Sequence, residues 1–234
     1  MKVINIIGSI GVGKSTLLNN LLEYTIRNKD KLPYEIIPVF ECVERYQSFN
    51  GYDPLFLSYE NPIANAAITQ AHIIASVNEH LHTILSKIST GETTEKEKIV
   101  IMDRSLFSPV VFNQVLLNRG IISHFARDYL WSEAINSGVK TMSELNLTSV
   151  GVISLSAPTD VCLRRIMQRS RDCEVKYVSS DYLKSLEEEY NRQVGWWYTK
   201  IPSDYILEID TESANQDQLL SWTTEFLLSC IMSK

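Results

Sequence analysis

The sequence predicts an α/β fold, a five-stranded parallel sheet flanked by helices, and three observations carry that prediction. Short apolar, β-branched runs alternate with helical stretches along the whole chain. The first run leads straight into a glycine loop and then a helix. Two later runs end in acidic residues, at the edge where a parallel sheet gathers its ligands.

The strands are expected at Lys2–Ile7, Glu35–Phe40, Ile99–Met102, Val150–Leu155 and Tyr205–Ile209. The helices are expected at Ser15–Asn28, Pro62–Ser89, Pro109–Asn118, Ala126–Asn136, Thr159–Ser170, Asp181–Tyr190 and Gln216–Met232. Gly91–Lys98 (GETTEKEK) reads as a solvated, charged loop. No internal repeat or long linker divides the chain, so residues 1–234 are expected to form one domain, with a lid at about 165–176.

The glycine loop is GSIGVGKS, residues Gly8, Ser9, Ile10, Gly11, Val12, Gly13, Lys14 and Ser15, followed by Thr16. It fits G-x-x-x-x-G-K-[ST] and sits between a strand and a helix, as a phosphate-binding loop requires. Glycines let backbone N–H groups converge on phosphate oxygens, and the helix N-terminus adds its positive end. Lys14 is expected on the outer phosphates of a nucleoside triphosphate, and the Ser15 hydroxyl on Mg²⁺.

The run KIVIMD ends in Asp103, expected to act on the same metal directly or through water. Arg104 follows it into the cleft, and Ser108-Pro109 opens the next helix. The run IIPVFE places Glu41 beside the phosphate loop, where a carboxylate can accept a proton from an attacking hydroxyl. Arg165, Arg169 and Arg171 lie along or just past a helix, poised to neutralise a transferring phosphoryl group. His72, His80, His82 and His124 form no metal-ligand constellation.

Composition excludes several other classes. A net charge of −6 argues against a nucleic-acid partner. No apolar run has the length of a membrane span, and the chain starts directly on the first strand, so neither a membrane nor a signal peptide is expected. Cys42, Cys162, Cys173 and Cys230 form no C-x-x-C pair and suit a reducing, cytoplasmic compartment.

Taken together, these motifs resemble the deoxyribonucleoside kinases of the non-thymidine-kinase-1 type from about residue 3 to about residue 210. The resemblance rests on the phosphate loop, FECVERYQSFNG, the DRS motif, RIMQRSRDCE and SSDYLKSLEEEY, in matching order and spacing. It implies a P-loop kinase fold with an arginine-rich lid, using ATP and Mg²⁺ to phosphorylate the 5′-hydroxyl of a deoxynucleoside. It implies Glu41 as the base, Arg104 on the same oxygen, and Asp103 in the magnesium-associated place. Tyr59 and Glu174 match the pair that binds the sugar 3′-hydroxyl, and Gln70 the amide that reads the base. Tyr46, Leu55, Val77, Pro109 and Phe112 fall around the base, Arg165, Arg169 and Arg171 in the lid, and Asp210 at the ATP adenine loop.

Departures from the family pattern are Cys42 in place of a proline, and Tyr46 and Asn65 in place of tryptophans. Phe112, the matching base-stacking aromatic, is one residue closer to Arg104 than in animal members. Without an Arg–Asp pair around Gln70, a pyrimidine-leaning or broad preference is expected, the apolar shell tolerating the thymine methyl. A homodimer is also implied, with Phe112, Val115, Phe125, Tyr129 and Trp131 as candidates for its face.

Other enzymes and switches share the phosphate loop. A GTPase needs N-K-x-D, and Asn28-Lys29-Asp30-Lys31 has the wrong last residue and comes too early. A nucleoside monophosphate kinase such as thymidylate kinase is the closer alternative, but Glu41 would repel an incoming phosphate.

Overall fold

The structure, a computed structural model, describes residues 1–89 and 96–232. Five strands, β1 (Lys2–Ile7), β2 (Tyr34–Val39), β3 (Glu97–Asp103), β4 (Thr148–Ser156) and β5 (Ile206–Asp210), pair in parallel in the order β2-β3-β1-β4-β5. All the expected strands are present. Their ends differ by a residue or two, and Glu97 and Lys98, expected in a loop, open β3. Gly91–Glu95 of that expected loop lie outside the described residues. Pro38 is accommodated because β2 is an edge strand, where a missing N–H costs least.

Helices cover both faces. On one, α1 (Lys14–Arg27), α9 (Ser180–Tyr198) and α10 (Gln216–Met232) bury Ile4, Ile6, Ile99 and Ile101. On the other, Leu81 and Leu85 of α4 (Pro62–Ser89) pack on Val3, Val100 and Met102. Alternate residues of one strand thus serve opposite cores, which is why the strands read as continuous apolar runs. Each such side chain contributes about 1.5–3 kcal/mol of burial.

The remaining helices frame the carboxyl edge of the sheet: α2 (Val43–Tyr46), α3 (Pro54–Glu60), α5 (Ser108–Asn118), α6 (His124–Glu144), α7 (Thr159–Arg169) and α8 (Asp172–Tyr177). Asp53 caps α3 by accepting from the Phe56 N–H at 2.8 Å. Helix α6 runs well past the expected end at Asn136. Gly138 is no breaker there: a Cβ on it would lie 2.8 Å from the Phe107 ring, so glycine allows a close approach.

The expected dimer face is only partly on the surface. Val115 is buried in the core and Phe112 faces inward, whereas Phe125, Tyr129 and Trp131 on α6 are exposed. Among the described residues, no helix is long and apolar enough to cross a membrane.

Strand β1 lies between β3 and β4, and the chain leaves it first toward β2 and later crosses to β4. The carboxyl end of β1 is therefore the switch point of the sheet, where open parallel sheets hold their ligands.

Candidate active site

The phosphate loop joins β1 to α1 and has positive φ at Gly8 (137°), Gly11 (84°) and Gly13 (101°). A Cβ at Gly8 would come within 2.3 Å of the Leu155 carbonyl, and one at Gly11 within 2.7 Å of the Cys162 carbonyl. The loop's path is thus closed to any side chain at those positions. It opens onto a cavity of about 710 Å³ that runs from Thr16 and Arg165 to Gln70 and Phe112.

At the floor of that cavity, Lys14 Nζ donates to Gly8 O (3.0 Å) and Ser9 O (2.7 Å) and is 6% exposed. Burial, with Arg104 adding its repulsion, lowers its pKa to about 7, against the pull of Asp103 and Glu41. The native group therefore releases a proton that the unfolded chain keeps, and the empty protein gains stability as pH rises from about 7 toward 10.5. Phosphate oxygens would hold Lys14 charged. Binding ATP at pH 8 is thus expected to take up close to one proton, measured by titration calorimetry in buffers of different ionisation enthalpy, and Lys14→Met should abolish the uptake.

The Ser15 hydroxyl donates to Asp103 Oδ2. Asp103, the last residue of β3, lies opposite Ile6 of β1, so sheet register alone brings it to the loop. Its Oδ1 is buried without a partner among the described residues, and burial raises its pKa, with Glu41 adding to the effect against Lys14. A hydroxyl and an orphaned carboxylate oxygen make a hard, all-oxygen donor set. They fit Mg²⁺, which takes one or two protein oxygens and completes its shell with phosphates and water.

Arg104 follows with a φ of 73°, a strained conformation for a residue with a side chain. Its backbone N–H is fixed to Ile6 O at 2.9 Å. Its Nε donates to Glu41 Oε1 at 2.7 Å, its Nη1 donates to the Tyr190 hydroxyl at 2.5 Å, and its guanidinium lies 5.0 Å from the centre of the Phe112 ring. Burial works to raise the pKa of Glu41, but Arg104 and Lys14 outweigh it and hold the carboxylate below its ordinary value. Glu41 is thus ionised at neutral pH and already aligned.

Gln70, Val77, Pro109, Phe112, Tyr46, Leu55 and Tyr59 all line the same cavity. Gln70 is buried, and its Oε1 has no partner among the described residues. Tyr46 is buried against Cys42, Leu55, Ile73 and Val77. Phe112 is the α5 aromatic that faces the cavity, while its neighbour Asn113 is fully buried. Asn65 is not in the cavity wall; its Nδ2 donates to Leu57 O at 3.1 Å.

The basic run divides by partner. Arg165 donates to Gly11 O (3.3 Å), Thr211 Oγ1 (2.9 Å) and Thr211 O (3.1 Å), bracing the loop against the chain after β5. Arg169 and Arg171 both pair with Glu174, which is 6% exposed and lines the cavity near Tyr59. Asp210, expected at the ATP site, does not line the cavity: it is exposed, its side chain accepts from the Glu212 N–H at 2.9 Å, and its carbonyl accepts from the Ser213 hydroxyl at 3.2 Å. Thr211 takes the place expected of it, donating to Val12 O at 2.8 Å.

Sequence reasoning missed Thr211, Tyr177, Tyr182 and Tyr190. Tyr177 stacks on Tyr59 with ring centroids 6.0 Å apart, and Tyr182 meets Tyr59 edge-on at 6.5 Å. Their spacing in VKYVSSDYLKSLEEEY was a legible signal, since Tyr182 and Tyr190 fall on one helical face at i, i+8. Among the described residues, no cluster of histidines, cysteines or acids forms a further metal site.

The sheet order, the phosphate loop and the acid at the end of β3 define the P-loop α/β class. Within that class the chain belongs to the deoxynucleoside kinase family, whose pattern it matches over residues 4–227. It is 28% identical over 191 residues to a deoxyguanosine kinase of Dictyostelium discoideum, an alignment covering 82% of this chain and 58% of that protein. Its fold resembles that of a deoxyadenosine kinase from M. mycoides solved with bound dCTP, at a TM-score of 0.68 and 21% identity, covering 98% of this chain and 100% of the other. The same kinase solved with the products dCMP and dCDP gives a TM-score of 0.66 at 20% identity, again covering 98% and 100% of the two chains.

Proposed function

We propose that this chain transfers the γ-phosphoryl group of ATP to the 5′-hydroxyl of a deoxynucleoside, yielding a 5′-monophosphate in nucleotide salvage. The observation that carries this reading is the ionised Glu41 carboxylate, paired to Arg104 at 2.7 Å in the cavity that the phosphate loop opens onto. That arrangement suits a neutral hydroxyl as acceptor and repels an incoming phosphate. Family membership supports the same reaction. Residues 1–234 act as one domain, with residues 165–176 as its lid.

Lys14 and the backbone N–H groups of the phosphate loop cradle the outer phosphates, and Ser15 and Asp103 would hold Mg²⁺, which supplies charge neutralisation on the phosphoryl oxygens when bound. Glu41 takes the hydroxyl proton as the oxygen attacks, and Arg104 steadies that oxygen. Arg165, Arg169 and Arg171 approach the transferring group from the lid. Because phosphoryl transfer passes through a loose transition state, positioning and charge stabilisation carry more of the rate than the base. The test supplies Mg²⁺ and ATP with deoxynucleosides or with their monophosphates and identifies products by mass. Diphosphates formed from monophosphates, with the nucleosides untouched, would favour a monophosphate kinase instead.

Gln70 offers a donor and an acceptor to the base edge, and its unpartnered Oε1 supports that role. Val77 and Pro109 beside it supply no charged pair, so thymidine and deoxycytidine are both expected as substrates, with purines poorer. The relatives are named for purine deoxynucleosides, yet the solved kinase was found with dCTP and with dCMP, which is in keeping with a broad pocket. Competition among all four deoxynucleosides at equal concentration checks this. Highest kcat/KM for deoxyguanosine or deoxyadenosine would overturn the argument from Val77 and Pro109.

We propose also that the chain forms a homodimer through α6. Phe125 is 81%, Tyr129 55% and Trp131 39% exposed, an apolar stretch on the surface of α6 with Arg127 against the Trp131 ring. Light scattering at micromolar concentration should give twice the 26.7 kDa chain mass. A monomer would contradict it.

A further inference from the structure

The Tyr190 hydroxyl is buried deep in α9 and has no place in the reaction as described so far, yet it touches the most constrained side chain of the cavity. We propose that Tyr190 is a positioning residue for phosphoryl transfer, acting through Arg104; this rests on the kinase reading above.

Arg104 must aim one edge of its guanidinium at the acceptor oxygen from a backbone held at positive φ. Glu41 takes its Nε and the Phe112 ring lies against its face, but a flat guanidinium can still swing in its own plane about the Nε–H···O contact. The Tyr190 hydroxyl accepts from Nη1 at 2.5 Å and closes that freedom. Only Nη2 is left without a partner among the described residues, free to meet a substrate oxygen.

Tyr190 can serve as a fixed stop because it is itself fixed. It is 3% exposed, its ring meets Phe112 edge-on at 6.5 Å, and its hydroxyl lies near Ser108. Ser108 in turn is 2% exposed and accepts from the Ser105 N–H at 2.9 Å. The turn that delivers Arg104 from β3 and the helix that carries Tyr190 are thereby joined at the Arg104–Tyr190 contact, with Ser108 beside it. Phenylalanine at 190 would fill the same space and supply no acceptor.

Tyr190→Phe is expected to lower kcat by about 10- to 100-fold, the scale of one hydrogen bond to a charged group, with the KM for ATP changed by less than about twofold. The decisive readout is a double-mutant cycle with Arg104→Lys: once the guanidinium is gone, removing the hydroxyl should cost less than about threefold. Ser108→Ala, which removes the hydroxyl beside that of Tyr190, should move kcat in the same direction by less, and it carries the test if Tyr190→Phe does not fold. Turnover of a deoxynucleoside by the unaltered chain tests the kinase reading separately. A kcat for Tyr190→Phe within about threefold of the unaltered enzyme would overturn the proposal, as would an equal loss with Arg104 and with Lys at 104.

Discussion

Glu41→Gln should lower kcat by about 10²–10⁴ while leaving ATP binding nearly unchanged, the range expected on losing a general base. The amide keeps the shape and can still accept from Arg104 Nε, now held at 2.7 Å by the carboxylate. What disappears is the negative charge that Arg104 and Lys14 sustain below its ordinary pKa. On the proposed mechanism the variant can no longer take the hydroxyl proton, and the guanidinium loses its counter-ion in a buried site. Steady-state kinetics with varied ATP and varied nucleoside separates an effect on turnover from one on ATP binding. Near-normal turnover would leave Glu41 as an ion-pair partner for Arg104 and nothing more.

Arg104→Lys should cost about 10²–10³ in kcat, comparable to removing one preorganised donor from a transition-state site. Arginine uses a rigid fork here: Nε on Glu41, Nη1 on Tyr190, and its flat face 5.0 Å from the centre of the Phe112 ring. An ammonium is a point charge on a flexible stem and cannot meet those partners together. Retained charge without retained rate would show that geometry, more than charge, is what Arg104 supplies. Rapid-quench measurement of single-turnover phosphoryl transfer checks that the loss lies in the chemical step.

Much of this site was legible in the sequence because its chemistry sits at strand ends. Parallel strands announce themselves as β-branched runs, and the residue just past each run must lie at the sheet's carboxyl edge; Glu41, Asp103 and Arg104 follow from that alone. Asp210 shows how fragile the same logic is. β5 runs Ile206–Asp210, so Asp210 is the strand's last residue and takes the face opposite buried Ile209. Asp210 therefore points to solvent and Thr211 to the cavity.

Helices set by tertiary contact were harder to see. The short α2, α3 and α8 contain too few turns for a 3.6-residue period to emerge. Helices α6 and α9 run past their expected ends at Asn136 and Tyr190, through Gly138 and Gly195. At Gly138 the reason is the Phe107 ring, which no local pattern encodes. The positive φ of Arg104, the hydroxyl behind it on Tyr190, and the pairing of Arg169 and Arg171 with Glu174 are likewise products of the assembled fold.

The central claim is that the cleft is built for a neutral hydroxyl acceptor faced by a carboxylate, and the most direct test measures kcat/KM for thymidine and for thymidine 5′-monophosphate side by side, in the unaltered chain and in Glu41→Gln. The account predicts that thymidine is preferred by more than about 10²-fold, a gap of roughly 2.7 kcal/mol, and that removing the Glu41 charge narrows that gap by slowing thymidine. A monophosphate used as well as or better than the nucleoside would contradict it.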